Sequence, residues 1–380
     1  MTHVTTTCTL FLVRSVGGTS CPALCSHEAI GRFHADSGMS LEALGWSPHF
    51  ENVYAGRESL GAPHRVVAQQ RGQNRISDGE RERWAHVRGR PVGAEAPVIG
   101  DWVVAAFPDG EPGVIEAVLP RRSAFSRRAA GDRPDEQVIA ANIDVLFLMS
   151  ACDGDLNPSR MERYLVAAWQ SGARPVVLLN KADLASDPEA AVERLRDVAG
   201  EAPVELLSLQ TGRGLDAVRS HLTEGVTVGL LGSSGVGKST LVNVLLGEER
   251  QRTQVLTSEN RGRHTTTHRE LFQLPGGGLL IDTPGMRELQ LWESPRGLDA
   301  AFPDIAALSA SCRYRDCTHL QDEGCEVVAA LEAGEIDRAR YERYQKLRRE
   351  QTELGLQREG LVRIRQRQKT NPAHRKRRRG

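Results

Sequence analysis

The stretch VGLLGSSGVGKSTLVNVL, from Val228 to Leu245, decides the fold. An apolar run leads into Gly232-Ser233-Ser234-Gly235-Val236-Gly237-Lys238-Ser239, the spacing of a phosphate-binding loop, and Thr240 then enters an apolar helical segment. Glycines let successive backbone N–H groups turn inward around phosphates. Lys238 supplies positive charge for the β and γ oxygens, and the Ser239 hydroxyl is a ligand for Mg²⁺. The plainer reading, a glycine-rich turn that only caps a helix, does not account for the strand before it and the helix after it.

About fifty residues earlier, VVLLNKADL (Val176 to Leu184) ends an apolar run on Asn180, Lys181 and Asp183, the Asn-Lys-x-Asp signature of guanine recognition. A carboxylate at Asp183 accepts from both N1–H and N2–H₂ of guanine, a donor pair that adenine lacks. SLQTGRGL, beginning at Ser208, follows the next apolar run and resembles, more weakly, the loop that offers backbone N–H groups to the guanine carbonyl; Leu209 stands where alanine is commoner. Downstream, GLLIDTPG ends a strand on Asp282, placed to hold Mg²⁺ through water, with the Gly285 N–H aimed at a γ-phosphate. RELFQL and GLLID flank PGGG and read as an antiparallel hairpin at the sheet edge.

The order is unusual, because the guanine motif precedes the phosphate loop. Each motif follows a strand, and only their positions in space matter to a nucleotide, so a circular permutation of a doubly wound α/β sheet leaves the site intact. The turn at Asp282 then runs into the C-terminal part of the chain instead of into another strand.

The rest of the chain divides around this core. A length of 380 residues allows two or three domains. No apolar run reaches about 18 residues, the length needed to span a membrane. Residues 1–38 have little periodicity and read as a disordered leader or a start placed too early, with Met39 opening the amphipathic MSLEALGWSPHF; Cys21, Cys25 and His27 have loose metal-ligand spacing but lack a fourth ligand. Residues 39–130 contain short β-rich runs such as RVVAQQRG, IGDWVVAAF and GVIEAVLPR, expected to form an OB-type barrel, with Arg121, Arg122, Arg127 and Arg128 as a basic edge. Such barrels hold RNA or protein. Residues 131–293 carry the buried runs of the permuted nucleotide-binding domain, with Met161, Tyr164, Leu165, Ala168 and Trp169 on one helix face.

Residues 294–354 form a small third domain with a helix near Glu335 to Glu353, on which Ile336, Tyr344 and Leu347 share a face. Residues 355–380 are a basic tail: nine Lys or Arg and no acid lie between Leu361 and Gly380, suited to nucleic acid or to a solvated end, although 49 basic and 49 acidic residues balance overall. Seven cysteines without a signal segment point to a reducing cytoplasm. Cys312-x₄-Cys317-x-His319-x₅-Cys325 offers three thiolates and an imidazole, a closed tetrahedral set for one structural Zn²⁺ with no position left for water. Cys152, alone at a strand end, reads as core.

From Leu41 to Leu354 the chain resembles the circularly permuted bacterial family of ribosome small-subunit-dependent GTPase A. The motifs that carry the likeness stand in family order: GDWV, AANIDVLFLMS, ERYLVAAWQSG, LNKADL, GSSGVGKSTLVN, RGRHTTTHRELF, DTPGMREL and the Cys-Cys-His-Cys set. The resemblance implies a monomer that binds GTP/GDP, Mg²⁺ and Zn²⁺, contacts 16S rRNA on a nearly complete 30S subunit, assists factor release, and has no membrane or DNA partner. It also places switch I at Arg261 to His268, with Thr267, or else Thr266, completing the Mg²⁺ shell. Met286 stands where many GTPases orient water with glutamine, and a thioether cannot do so; His264 is a candidate to be brought to the water by the ribosome, or a solvated loop histidine. Two functions share this site: subunit-stimulated GTP hydrolysis as a release step, and a GTP-gated RNA-binding clamp in which hydrolysis is incidental.

Overall fold

The computed structural model describes residues 40–70, 73–88, 96–108, 110–128, 136–153, 156–247, 269–282 and 295–370. Residues 1–38 and the switch I stretch with His264, Thr266 and Thr267 lie outside these, as do Gly285 and Met286. After a short helix, α1 (Pro48–Tyr54), five strands follow: β1 (Ala62–Gln70), β2 (Gln73–Ser77), β3 (Glu82–Val87), β4 (Trp102–Ala106) and β5 (Gly113–Val118). They pair in the order β1-β2-β3-β5-β4, and β4 returns to β1, closing an OB-like barrel in which only the β3–β5 pair is parallel. Val66, Ile76, Ala85, Val103, Ala105 and Ile115 alternate inward to fill it.

A hairpin of β6 (Ala124–Arg128) and β7 (Glu136–Ala141) leads out of the barrel, so the boundary expected at residue 130 falls between its two strands. The next strands are β8 (Val145–Ala151), β9 (Arg174–Asn180), β10 (Val204–Leu206), β11 (Thr227–Gly232), β12 (Arg269–Gln273) and β13 (Leu279–Asp282). Their order is β10-β9-β8-β11-β13-β12, all parallel except β12. Every residue of β8 and β11 is buried, as expected for central strands covered on both faces. The helices are α2 (Pro158–Ser171), α3 (Pro188–Ala199), α4 (Leu215–Ser220) and α5 (Lys238–Leu246). The first begins where the Asn157 side chain accepts the Arg160 N–H ahead of Pro158, and stops at Gly172 in the left-handed region.

The β12–β13 hairpin forms with Leu271 opposite Ile281, but it does not lie at a sheet edge. The outer side of β12 pairs antiparallel with β1, Ala68 opposite Glu270, so barrel and nucleotide domain share one eleven-stranded sheet. The two ends of β1 do different work: Ala62 to Arg65 close the barrel against β4, and Ala68 and Gln69 join β12. Arg75 of β2 seals the seam with Glu270 at 2.6 Å and Glu82 at 2.9 Å. A free strand edge is a template for unwanted pairing, and here the barrel covers it.

A second weld is buried. The Arg65 guanidinium, 1% exposed, donates to the carbonyl oxygens of Leu44, Gly100 and Asn142. Burial pushes it down to about 10, against the pull of Asp144 and Asp101. One member of the expected basic edge turns inward: Arg121 is mostly buried and holds both oxygens of the buried Asp101 at 2.7 Å, whereas Arg122 is exposed and lies 3.4 Å from Asp144.

The C-terminal domain contains α6 (Pro295–Ala301), α7 (Pro303–Ser309), α8 (Glu326–Glu332) and α9 (Arg338–Thr370). The last helix runs well past Glu353, so the tail expected from residue 355 is helical as far as Thr370. Tyr344 and Leu347 are buried on this helix as their spacing implies, while Ile336, expected on the same face, is buried in the bend before it, because the helix starts only at Arg338. Gly297 lets α6 approach α2 closely, since a Cβ there would come within 2.6 Å of the Val166 carbonyl oxygen. Among the described residues no helix is long and apolar enough to cross a membrane.

Candidate functional site

The carboxyl ends of β9, β10, β11 and β13 bring the separated motifs to one rim of the sheet. Gly232 ends β11 and starts the phosphate loop; Ser233 and Ser239 are half-buried, Ser234 and Gly235 are exposed, and Val236 is packed into the core. Gly237 caps α5 at φ 106°, where a side chain would meet Asn180 Nδ2 at 2.4 Å. Among the described residues no side chain caps this helix, and its first N–H groups, from Lys238, Ser239 and Thr240, form the positive end of the helix dipole. The Lys238 ammonium folds back over the loop, donating to the carbonyl oxygens of Gly232 at 2.6 Å and of Ser233.

Asn180 is almost fully buried and does a job its motif did not specify. Its Nδ2 donates to the Val236 carbonyl oxygen at 2.8 Å and its Oδ1 accepts the Leu209 N–H at 3.2 Å, so it ties the phosphate loop to the loop after β10. Lys181, held at φ 63°, pairs with Asp153 at the end of β8. Asp183 is exposed at the rim, where the buried Ser208 hydroxyl donates to its carboxylate. In turn the Thr211 N–H donates to Ser208 Oγ at 3.2 Å, which fixes that hydroxyl and through it the carboxylate. Asp153 and Ser208 therefore act as supports for Lys181 and Asp183. Cys152, expected in the core, is half-buried beside this cluster, and burial together with Asp153 and Asp183 pushes its thiol up.

Asp282 ends β13 one strand away from the phosphate loop, since β13 lies parallel to β11 with Ile281 opposite Gly229. The structure thus brings together Asn180, Lys181, Asp183, Ser208, the phosphate loop and Asp282.

In the C-terminal domain Cys312, Cys317, His319 and Cys325 place one donor atom each within 4.8 Å of the others. His319 Nδ1 is 3.6 Å from Cys312 Sγ and 3.5 Å from Cys325 Sγ, and those sulfurs are 3.9 Å apart. Metal–ligand bonds of about 2.0 to 2.3 Å in a tetrahedron imply edges of roughly that length. Ser309 Oγ lies 3.0 Å from the far nitrogen of His319 and fixes the ring, as an outer partner should. Burial and the neighbouring thiols push the Cys317 thiol up to about 12, so thiolate there needs a cation. This set can hold a metal ion. The long helix α9 braces it: Tyr341 and Gln345 donate to the His319 carbonyl oxygen, and Arg348 to those of Cys317 and Thr318.

Residues 118–292 match the family model for the RsgA GTPase. The chain is 46% identical over 330 residues to a protein of Opitutus terrae named small ribosomal subunit biogenesis GTPase RsgA, covering 82% of this chain and 90% of that one. A protein of the same name from Methanosarcina acetivorans is 47% identical over 270 residues, 69% of this chain and 73% of that one. Among solved structures, YjeQ from Thermotoga maritima aligns with TM-score 0.58 at 25% identity over 76% of this chain and 98% of that one. YloQ, described as a circularly permuted GTPase, aligns with TM-score 0.57 at 25% identity over 77% and 95%. With its permuted motif order, OB-like barrel and C-terminal Cys₃His set, the chain belongs to the RsgA family of GTP-hydrolysing, guanine-nucleotide-binding proteins.

Proposed function

We propose that this chain hydrolyses GTP during biogenesis of the small ribosomal subunit, that the subunit stimulates the reaction, and that turnover accompanies late maturation and factor release. The observation that carries the proposal is the polar network from Ser208 through Asp183 and from Leu209 through Asn180 to Val236, which joins a guanine-selective carboxylate to a phosphate loop. Relatives that share this chain over most of their length are named for small-subunit biogenesis.

In this reading Asp183 accepts from the guanine edge, Ser208 orients it, and the loop glycines with Lys238 hold the phosphates. Ser239, Asp282 and Thr267 would hold Mg²⁺, with Thr267 coming from switch I. When bound, the ion spreads the charge that develops on the phosphate oxygens. Gly285 would meet the γ-phosphate through its N–H, and His264 is the candidate for water activation on the ribosome. The four-donor set, three of its members sulfur, suits a structural Zn²⁺. A monomer in the cytoplasm, in contact with 16S rRNA and with neither membrane nor DNA, fits these parts.

Steady-state GTP hydrolysis with and without purified 30S subunits tests the proposal. Stimulation well above the intrinsic rate is expected. Equal rates would favour a GTP-gated clamp in which hydrolysis is incidental.

A further inference from the structure

Leu209 lies in the loop after β10 and faces the phosphate loop, and the motif it belongs to accounts for its backbone but not for its side chain. Its backbone N–H donates to Asn180 Oδ1 at 3.2 Å. Its side chain does something separate: Cδ1 reaches to within 3.3 Å of where a Cβ on Gly237 would stand, and the residue packs against the buried cluster that includes Val236 and Leu241. The loop after β10 is therefore tied to the phosphate loop twice, by the Asn180 amide and by an apolar bridge.

We infer that Leu209 is a positioning residue of the nucleotide site, an apolar bolt that sets the separation between the guanine-side loop and the phosphate loop. The inference rests on the reading of this rim as a guanine-nucleotide site. An alanine would keep the N–H bond to Asn180, because that bond uses the backbone. It would end at Cβ and leave a gap against Gly237. A nucleotide held at both ends feels that gap as lost rigidity. Leu209→Ala should thus release nucleotide faster.

The test is stopped-flow release of a fluorescent GDP analogue, chased with unlabelled GDP, in the full-length protein and in Leu209→Ala, Leu209→Met and Leu222→Ala. Leu222 belongs to the same buried cluster but precedes β11, at the opposite end of the strands from the rim. Release from Leu209→Ala should be about tenfold faster, from a loss of part of one side chain's packing. Methionine, nearly equal in volume, should restore it to within about twofold. Leu222→Ala should leave it unchanged despite lowering stability. If Leu209→Ala fails to fold, Leu209→Val takes its place with a smaller effect in the same direction. Release at the unaltered rate from Leu209→Ala, or from Leu209→Val where it stands in, overturns the inference, as does equal acceleration in Leu222→Ala. Failure of the unaltered protein to bind the analogue overturns the guanine reading itself.

Discussion

Arg343 Nε lies 2.8 Å from the carboxylate of Glu162, a side chain with no exposed surface, and so fastens α9 to α2. Arg340 stands 3.9 Å away on the same carboxylate and holds Asp304 with two bonds of 2.7 Å. Arg163 and Glu350 pair at the next position along the helices. The C-terminal domain is thereby clamped to the helix that connects β8 and β9.

Removing one partner of a buried pair leaves the other charge stranded. Arg343→Ala should cost about 3 to 5 kcal/mol. Burial already pulls the Glu162 carboxyl above its ordinary range, with the arginines opposing. Without Arg343 the folded-state value rises further, the folded state binds protons more readily than the unfolded one, and stability falls as pH rises. Urea unfolding should show a larger deficit at pH 8 than at pH 5, and a deficit independent of pH would contradict the clamp.

Asp183→Asn should weaken GTP and improve binding of xanthosine triphosphate, because an amide can donate to the carbonyl at purine position 2. Lys238→Ala should abolish measurable hydrolysis. Competition binding checks the first, and unchanged preference for GTP would remove Asp183 from the base site.

Cys317→Ser should lower bound metal and destabilise the C-terminal domain while sparing nucleotide affinity, since the four donors lie on different elements from the rim residues. Metal analysis beside differential unfolding distinguishes this from a set of idle thiols; a metal-free preparation with native unfolding would sink it.

Intrinsic turnover should be slow, on the order of 10⁻⁴ to 10⁻² s⁻¹, given Met286 in place of a water-orienting amide. Stimulation by 30S subunits should shrink in the Arg340→Ala/Arg343→Ala double variant, whose basal rate persists, and subunit affinity should drop steeply with salt. Full stimulation in the double variant would locate the sensor in the barrel alone.

The phosphate loop, the Asn180–Asp183 motif and the four metal donors were legible because each is a local pattern whose spacing is dictated by one ligand. The barrel was legible as strand-length runs between turns. Other features depend on partners far away along the chain. Nothing near Arg269 announces that β12 will pair with β1, since a strand's alternation reports which face is covered but not who lies at its edge. Arg121 reads as part of a basic edge because its partner Asp101 lies twenty residues away, and nothing local to Glu162 points to Arg343, 181 residues downstream. Asn180 was recognised by its motif but not as the tie between loops, because that role depends on backbone atoms of Val236 and Leu209.

The seam between β1 and β12 also constrains how the protein is made. Some two hundred residues separate Ala68 from its partner Glu270. At about 5 to 20 residues per second, roughly 10 to 40 seconds of synthesis pass between their emergence. The barrel can close through β4 within that time, but the far end of β1 must wait for β12. The edge of the nucleotide sheet that β1 covers therefore cannot be completed until about that long after the whole barrel has emerged.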